Sequence, residues 1–399
     1  MEAIAFLLGS GVSFPAGMPS VDAITELILS GQGFMRHTDG NYYSGPGLYA
    51  HAGLPDEHVP SIVAFLGLCK AEIDRYYQHN TQRRTSYEDL YYLINQIDGS
   101  ESGDYDNPAV QSLIEKMLPA LPQILISKRK HLRPDWSLKE LASEALHYIA
   151  DVVWNVLNRQ PDRLNYLKCV VEACQDHRLD RVDIFTLSHD TLLEDCFSEH
   201  SIEFVDGFGN AVGRPGARVR YWQPELFGED QARIRLFKLH GSTNWFRFHN
   251  AVEPSSSCVG IPIDGDYWHT ADPDGRRQWP ADGRPMLLIG TFNKMFDYLH
   301  SVYAELHCQF LRSMRVVDRL VVSGYGFGDK GINTRLIQWL VLSNRHRMAV
   351  VDPAGETLLD RARPAIPLSF SRCQDRWAII RSGFEALTWP DVTVQLSTL

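Results

Sequence analysis

Residues 3–8, AIAFLL, form an unbroken apolar run closed by Gly9, the pattern of a strand buried on both faces. Short runs of the same kind return in the second half of the chain: VDIFTL (182–187), IRLFKL (234–239), MLLIG (286–290), RLVVSG (319–324) and MAVVDP (348–353). Each is rich in β-branched or aromatic residues and closed by turn residues, which predicts strands. Helical spacing fills 293–314 and 330–344 between them. After the first strand the pattern changes. VDAITELILS (21–30) has helical periodicity, with Ser20 placed as N-cap. Residues 31–60 are rich in Gly, His, Tyr and Pro, hold no period and read as a long loop. Residues 61–180 read as mostly helical, broken by the acidic stretch DGSESGDYDNP at 98–108. The clearest helix is SLKELASEALHYIADVVWNVLN. Ser137 and Glu140 form its capping box, and Leu138, Leu141, Ala145, Ile149, Val152, Val153 and Val156 form one apolar stripe.

Strands alternating with helices predict an α/β fold with a doubly wound, Rossmann-like parallel sheet. A helical block following a single strand predicts a large helical subdomain inserted into that domain. The expected division is an α/β domain from 1–30 and 180–399, a helical insertion at 61–180, and loops at 31–60 and 249–285. The formal net charge of −10 argues against a broad electrostatic footprint for nucleic acid, so no sequence-specific nucleic-acid binding is expected. The seven cysteines are scattered, with no C-x-x-C pair, which suits a reducing compartment better than a disulfide framework. The apolar N-terminal run is too short for a signal peptide, and no stretch has the length of a membrane span. A cytoplasmic chain with no membrane contact is the expectation.

In a doubly wound sheet, ligands sit outside the carboxyl ends of the strands. Polar clusters end several of the strands here. Gly9-Ser10-Gly11-Val12-Ser13 follows the first, where glycines let backbone approach a pyrophosphate and the next helix offers its N-terminal N–H groups. An ordinary tight turn is the other reading of those glycines. Ser188-His189-Asp190 follows the second strand, and Asp190 is equally well placed to cap the helix after it. His240-Gly241-Ser242 follows IRLFKL; a histidine facing a cleft suits general-base work, and a hydrogen-bonded structural histidine is the other reading. Gly324-Tyr325-Gly326-Phe327 ends a fourth strand. Asn333 and, after the next strand, Asp352 are placed to hydrogen-bond ribose or adenine. Loop punctuation and helix capping are the alternatives.

As a set these segments resemble the sirtuin family, in its bacterial defence-associated, NAD-hydrolysing branch. GSGVSFPAGMP resembles the opening cofactor-wrapping motif, TLSHD the T-x-N-x-D motif, KLHGS the catalytic-histidine motif, and GYGFGDKGIN the distal glycine segment. The likeness covers roughly 1–30 and 180–355. It implies a sirtuin-like NAD-binding domain in which Gly9, Ser10, Gly11, Ser13, Asp190, Gly324, Tyr325, Phe327, Asn333 and Asp352 contact NAD, with His240 and Ser188 catalytic. Two departures stand out. Family deacylases carry four cysteines in a zinc module after the histidine, whereas 249–285 holds only Cys258 with His249 and His269. No metal and no zinc are therefore expected. Ser188 stands where the family has asparagine, and a hydroxyl has a shorter reach and fewer donors than an amide.

The resemblance implies an NAD⁺ hydrolase, with NAD as substrate, that depletes NAD⁺ during phage infection and causes abortive death of the cell. Such activity needs control in trans. Stand-alone chains of this size in the family resemble the partner of a HerA-type translocase ATPase, in homo-oligomeric rings. The alternatives are a catalytically weakened NAD- or ADP-ribose-binding regulatory subunit and an NAD-dependent protein deacylase.

Overall fold

The computed structural model describes residues 2–45, 58–80, 83–104, 107–124, 136–228, 232–249 and 257–399. Its main sheet has six strands: β1 (Ala3–Leu8), β2 (Arg181–Thr186), β3 (Ile234–Lys238), β4 (Arg319–Ser323), β5 (Arg347–Val351) and β6 (Trp377–Ile380). All pairs are parallel and the order is β3-β2-β1-β4-β5-β6. This is the doubly wound Rossmann order, in which the chain leaves β1 toward one edge and later returns to build the other. The apolar runs at 3–8, 182–187, 234–239, 319–324 and 348–353 all fall on this sheet. MLLIG does not: Met286 and Leu287 end an antiparallel strand, Pro280–Leu287, outside it. The remaining parallel strand is β6, four half-buried residues at the sheet edge, too short to stand out as a period.

Alternation along the strands builds the two faces. Ala3, Ala5 and Leu7 share a core with Phe185, Phe237, Leu320, Val322, Met348 and Val350, and with Leu306, Phe310, Leu336 and Leu340 from the helices Ser301–Ser313 and Lys330–Leu342. On the other face, Phe6 meets Trp389 at 6.1 Å between ring centroids, and the helix Trp389–Thr398 packs on the helix Lys168–Gln175. A buried ion pair joins β2 to β3. Arg235 donates from two guanidinium nitrogens to the two carboxylate oxygens of Asp183, at 2.7 and 2.8 Å.

The chain divides into two compact units, one of residues 1–18, 160–288 and 295–399, the other of 19–159 and 289–294. The boundaries thus differ from those expected at 30 and 180. Helix Val21–Ser30, with Ser20 capping it as expected, belongs to the helical unit, and 160–180 belongs to the sheet unit. In the helical unit the capping box of Ser137 and Glu140 starts helix Leu138–Leu157. Its expected stripe is buried apart from the half-buried Val156. Residues 31–60 are not simply a loop. Phe34–Arg36 and Tyr42–Ser44 pair as an antiparallel hairpin, and helix His58–Asn80 begins at its end; residues 46–57 lie outside the described residues. Strands of three residues are shorter than any detectable period.

The stretch 249–285 also departs from the expected loop. Val219–Tyr221, Ser257–Pro262, Gly241–His249 and Pro280–Leu287 form a four-stranded antiparallel sheet, with a further two-stranded ribbon at 270–271 and 277–278. Pro280 and Pro285 sit on the edge strand, which has register shifts on either side of Pro285. Edges and bulges are where a sheet tolerates proline, and the same prolines disguise the strand in the sequence.

The carboxyl ends of β1 and β4 meet backbone to backbone. Gly9 N–H donates to Ser323 O (2.8 Å) and Gly11 N–H to Gly324 O (3.0 Å). A Cβ on Gly9 would lie 2.3 Å from Gly324 O, and one on Gly324, whose φ is +63°, would lie 2.3 Å from Val12 N. By contrast, a Cβ at Gly326 would meet nothing within 4 Å. Urea unfolding should therefore show Gly324→Ala destabilised by about 2 kcal/mol or more and Gly326→Ala within about 0.5 kcal/mol of the parent. Equal midpoints for the two variants would contradict this contact.

Candidate functional site

The strand order places a crevice between β1 and β4, where the crossovers diverge. The loop after β1 is not the expected turn into a helix. Ser10–Ala16 form a 3₁₀ helix containing Pro15 and closed by Gly17 in the left-handed conformation (φ 81°), and the next helix belongs to the helical unit. The expected pyrophosphate cradle also changes character. The amides of Gly9 and Gly11 already donate to Ser323 and Gly324, so these glycines serve the contact between the two strand ends. Ser10 is exposed.

Ser13, from this loop, reaches the end of β2. Its hydroxyl donates to Asp190 Oδ2 at 2.7 Å, and Ser188 Oγ donates to the same oxygen. The two hydroxyl oxygens lie 3.5 Å apart. Asp190 Oδ1 accepts the N–H of Leu192 at 3.2 Å, at the start of helix Leu192–Glu199. One carboxylate thus tethers the start of the helix, as the capping reading expects, and gathers two buried hydroxyls. With its only hydrogen directed at Asp190, Ser188 faces any further partner through its lone pairs. Lys238, buried at the end of β3, holds the turn from beneath. Its ammonium donates to Asp190 O and pairs with Glu194 at 3.0 Å. Burial raises the Glu194 carboxyl, and Lys238 opposes that rise.

His240 lies one turn beyond β3 and is buried. Its Nε2 is 3.0 Å from Tyr298 Oη and 3.3 Å from Asp329 Oδ2, and the Tyr298 hydroxyl donates to that same Asp329 oxygen. His189 comes close as well, with ring centroids 6.3 Å apart, and its carbonyl accepts Thr243 N–H at 2.9 Å. His307, on helix Ser301–Ser313, packs against Tyr298 with ring centroids 3.6 Å apart and the rings tilted by 32°. Its Nε2 is buried without a hydrogen-bond partner among the described residues. Burial first, then the proximity of His240, pulls its pKa down to about 3.

The loop after β4 is committed mainly to itself. Tyr325 Oη donates to Asn333 Oδ1 (2.8 Å), and Asn333 Nδ2 donates to Phe327 O (2.8 Å). Phe327, expected to contact NAD, is fully buried against Phe370 and Tyr325, so its side chain belongs to the core. It is one of the few non-glycine residues with positive φ (52°), and its carbonyl is held by Asn333. Both ends of the Asn333 amide are engaged in this loop, away from the expected contact with ribose or adenine. Asp352 stands at the end of β5, where Oδ1 accepts Ala354 N–H at 2.8 Å in a local turn.

Of the expected residues, Ser13, Ser188 and Asp190 form one buried cluster, His240 joins a second, and Gly9, Gly11 and Gly324 form the backbone contact beside them, while Ser10, Tyr325, Phe327, Asn333 and Asp352 stand apart. Tyr298, Asp329, Lys238 and His307 were not anticipated. Asp329 had a signal, since it follows the glycine segment and precedes helical spacing; Tyr298 had none. Among the described residues no group of three or more His, Cys, Asp or Glu side chains is arranged to hold a metal ion, and no helix is long and apolar enough to cross a membrane.

No family model and no curated protein matches the chain. Among solved structures it is similar to a Sir2 homologue in complex with NAD, at 11% identity over 98% of this chain and 88% of that chain, with a TM-score of 0.39. A mutant Sir2 homologue in complex with ADP-ribose matches at 12% identity over 98% and 90%, with a TM-score of 0.37. The strand order itself carries the fold assignment.

The buried His307 links this site to stability. Below pH 6.5 the unfolded chain binds a proton that the folded chain refuses until about pH 3. The group's contribution to stability is therefore fully present above pH 6.5 and is lost as pH falls toward 3. His307→Gln should reduce the drop in unfolding free energy between pH 7 and pH 5 by about 2 kcal/mol, read by urea titration at each pH. An unchanged drop would show that His307 titrates normally in the folded chain.

Proposed function

We propose that the carboxyl edge of this sheet binds NAD⁺ and hydrolyses its nicotinamide–ribose bond. The observation that carries the reading is the gathering of the motif residues. The strand-end segments that resemble the NAD-hydrolysing branch of the sirtuins lie around one doubly wound switch point, with a buried histidine–carboxylate pair among them.

In this reading the C1′–N bond breaks with its electron pair leaving on nicotinamide, whose ring nitrogen loses its positive charge. The ribose carbon becomes oxocarbenium-like, and water adds to it. His240 takes the proton that the water, or a ribose hydroxyl in relay, must lose, and returns it to solvent. The products are nicotinamide, ADP-ribose and a proton. Asp190 and Asp329 supply negative charge on the side where positive charge develops, a contribution that low-dielectric surroundings strengthen. Ser188 takes the place of the family asparagine and offers acceptor lone pairs to the attacking water. The biological role we propose is NAD⁺ depletion in antiphage defence, restrained by a partner ATPase of the HerA type and by homo-oligomerisation.

A second reading has a specific observation behind it. The Ser188 hydrogen is directed at Asp190, which suits a chain that binds NAD⁺ or ADP-ribose without turning it over. Incubation of the purified chain with NAD⁺, with and without a HerA-type ATPase, separates the two by the release of nicotinamide and ADP-ribose. Hydrolysis is expected, and His240→Ala should lower it by about 1,000-fold or more while leaving the unfolding midpoint in place. Full activity in His240→Ala would remove that residue from the mechanism. No turnover in the parent or in Ser188→Asn, with tight ADP-ribose binding, would favour the regulatory reading.

A further inference from the structure

A phenol has one hydrogen, and that of Tyr298 goes to Asp329 Oδ2. The Tyr298 oxygen therefore meets His240 Nε2, 3.0 Å away, as an acceptor. Asp329 Oδ2, 3.3 Å from the same nitrogen, is an acceptor too. A ring nitrogen between two acceptors carries hydrogen. We propose that Asp329 and Tyr298 are positioning residues that hold His240 with its hydrogen on Nε2 and stabilise the positive charge the ring gains during turnover. The source of that charge, a proton from water or a ribose hydroxyl, rests on the NAD⁺-hydrolase reading. The proton enters at Nδ1, the ring changes from neutral to +1, and Asp329 stays ionised throughout.

The carboxylate is held in place from both sides. Asp329 is the N-cap of helix Lys330–Leu342, where Oδ1 accepts Ile332 N–H at 3.1 Å. The helix dipole favours negative charge there. Its own N–H donates to Tyr325 Oη at 3.2 Å, so the loop that clamps Asn333 also fixes the carboxylate. His307, whose ring centroid lies 3.6 Å from that of Tyr298, is kept neutral by burial and then by His240, with Arg335 adding to this and Asp329 opposing it. His189 approaches from the end of β2 and brings no carboxylate. Asp329 therefore serves His240.

Asp329→Asn tests this, because asparagine caps a helix as well as aspartate does while removing the charge. We expect kcat for NAD⁺ to fall by about 100-fold or more, KM to stay within about threefold, and the acid limb of the pH profile to move to lower pH. Tyr298→Phe should cost about tenfold in kcat, as loss of one hydrogen bond to a charged group does. A readout free of turnover is ¹⁵N NMR of histidine-labelled protein, assigned with His240→Gln. The parent ring should show hydrogen on Nε2, and Asp329→Asn should show mixed tautomers. A parent ring protonated only at Nδ1 overturns the proposal, as does Asp329→Asn with unaltered kcat and tautomer. If Asp329→Asn fails to fold, the tautomer in Tyr298→Phe decides in the same way. If the parent turns over no NAD⁺, the hydrolase reading falls while the tautomer still decides the positioning role.

Discussion

Two stretches of polypeptide backbone touch at the centre of the sheet with no side chain between them. The amides of Gly9 and Gly11 donate to the carbonyls that end β4, and no Cβ fits at Gly9 or Gly324. Each polar cluster of the candidate site takes one member from the loops that meet at this junction. The loop after β1 carries Ser13 across to Asp190 at the end of β2, and the loop after β4 carries Asp329 to His240 beyond β3. A side chain wedged into the junction would move both loops, and with them both clusters. Close-packed interiors transmit such shifts rather than absorb them.

The two clusters treat their carboxylates differently. Asp190 faces two hydroxyls and one backbone N–H, all neutral donors. Asp329 faces a phenol and an imidazole, one of which can itself become charged. Only the second arrangement has something to gain from a proton that arrives during a reaction. Each carboxylate also holds the start of a helix, so the polar groups that suit chemistry are the ones that set the loops.

Much of this architecture was legible in the sequence, because strands buried on both faces leave continuous apolar runs that only one kind of fold explains. The runs at 3–8, 182–187, 234–239, 319–324 and 348–353 are such strands. MLLIG misled because apolar content does not distinguish a parallel core strand from the end of an antiparallel one. The 249–285 region was hidden by Pro280, Pro285 and Gly283, which sit where an edge strand tolerates them. In the site, residues tied to strand ends could be read, whereas Tyr298 reaches His240 from 58 residues away with nothing local to mark it. At Phe327 and Asn333 the sequence signal and the side-chain packing point different ways. A glycine-flanked aromatic and a nearby amide look like ligand contacts, and here they brace their own loop.

The connectivity of the sheet has a further consequence, in time rather than in space. β1 is made first, yet its partners are β2, where Leu8 pairs with Thr186, and β4, where Leu8 pairs with Ser323. Closing a loop of that first length costs on the order of 5 kcal/mol of chain entropy, and parallel pairings return nothing until both strands are present. During synthesis β1 must therefore wait, unpaired, until the helical unit and β2 have emerged, and longer still for β4. His240 and Ser188 exist long before Asp329 does. A ribosome-bound fragment that stops short of Asp329 carries His240 without the carboxylate that faces it in the folded chain, so this edge of the sheet is assembled late.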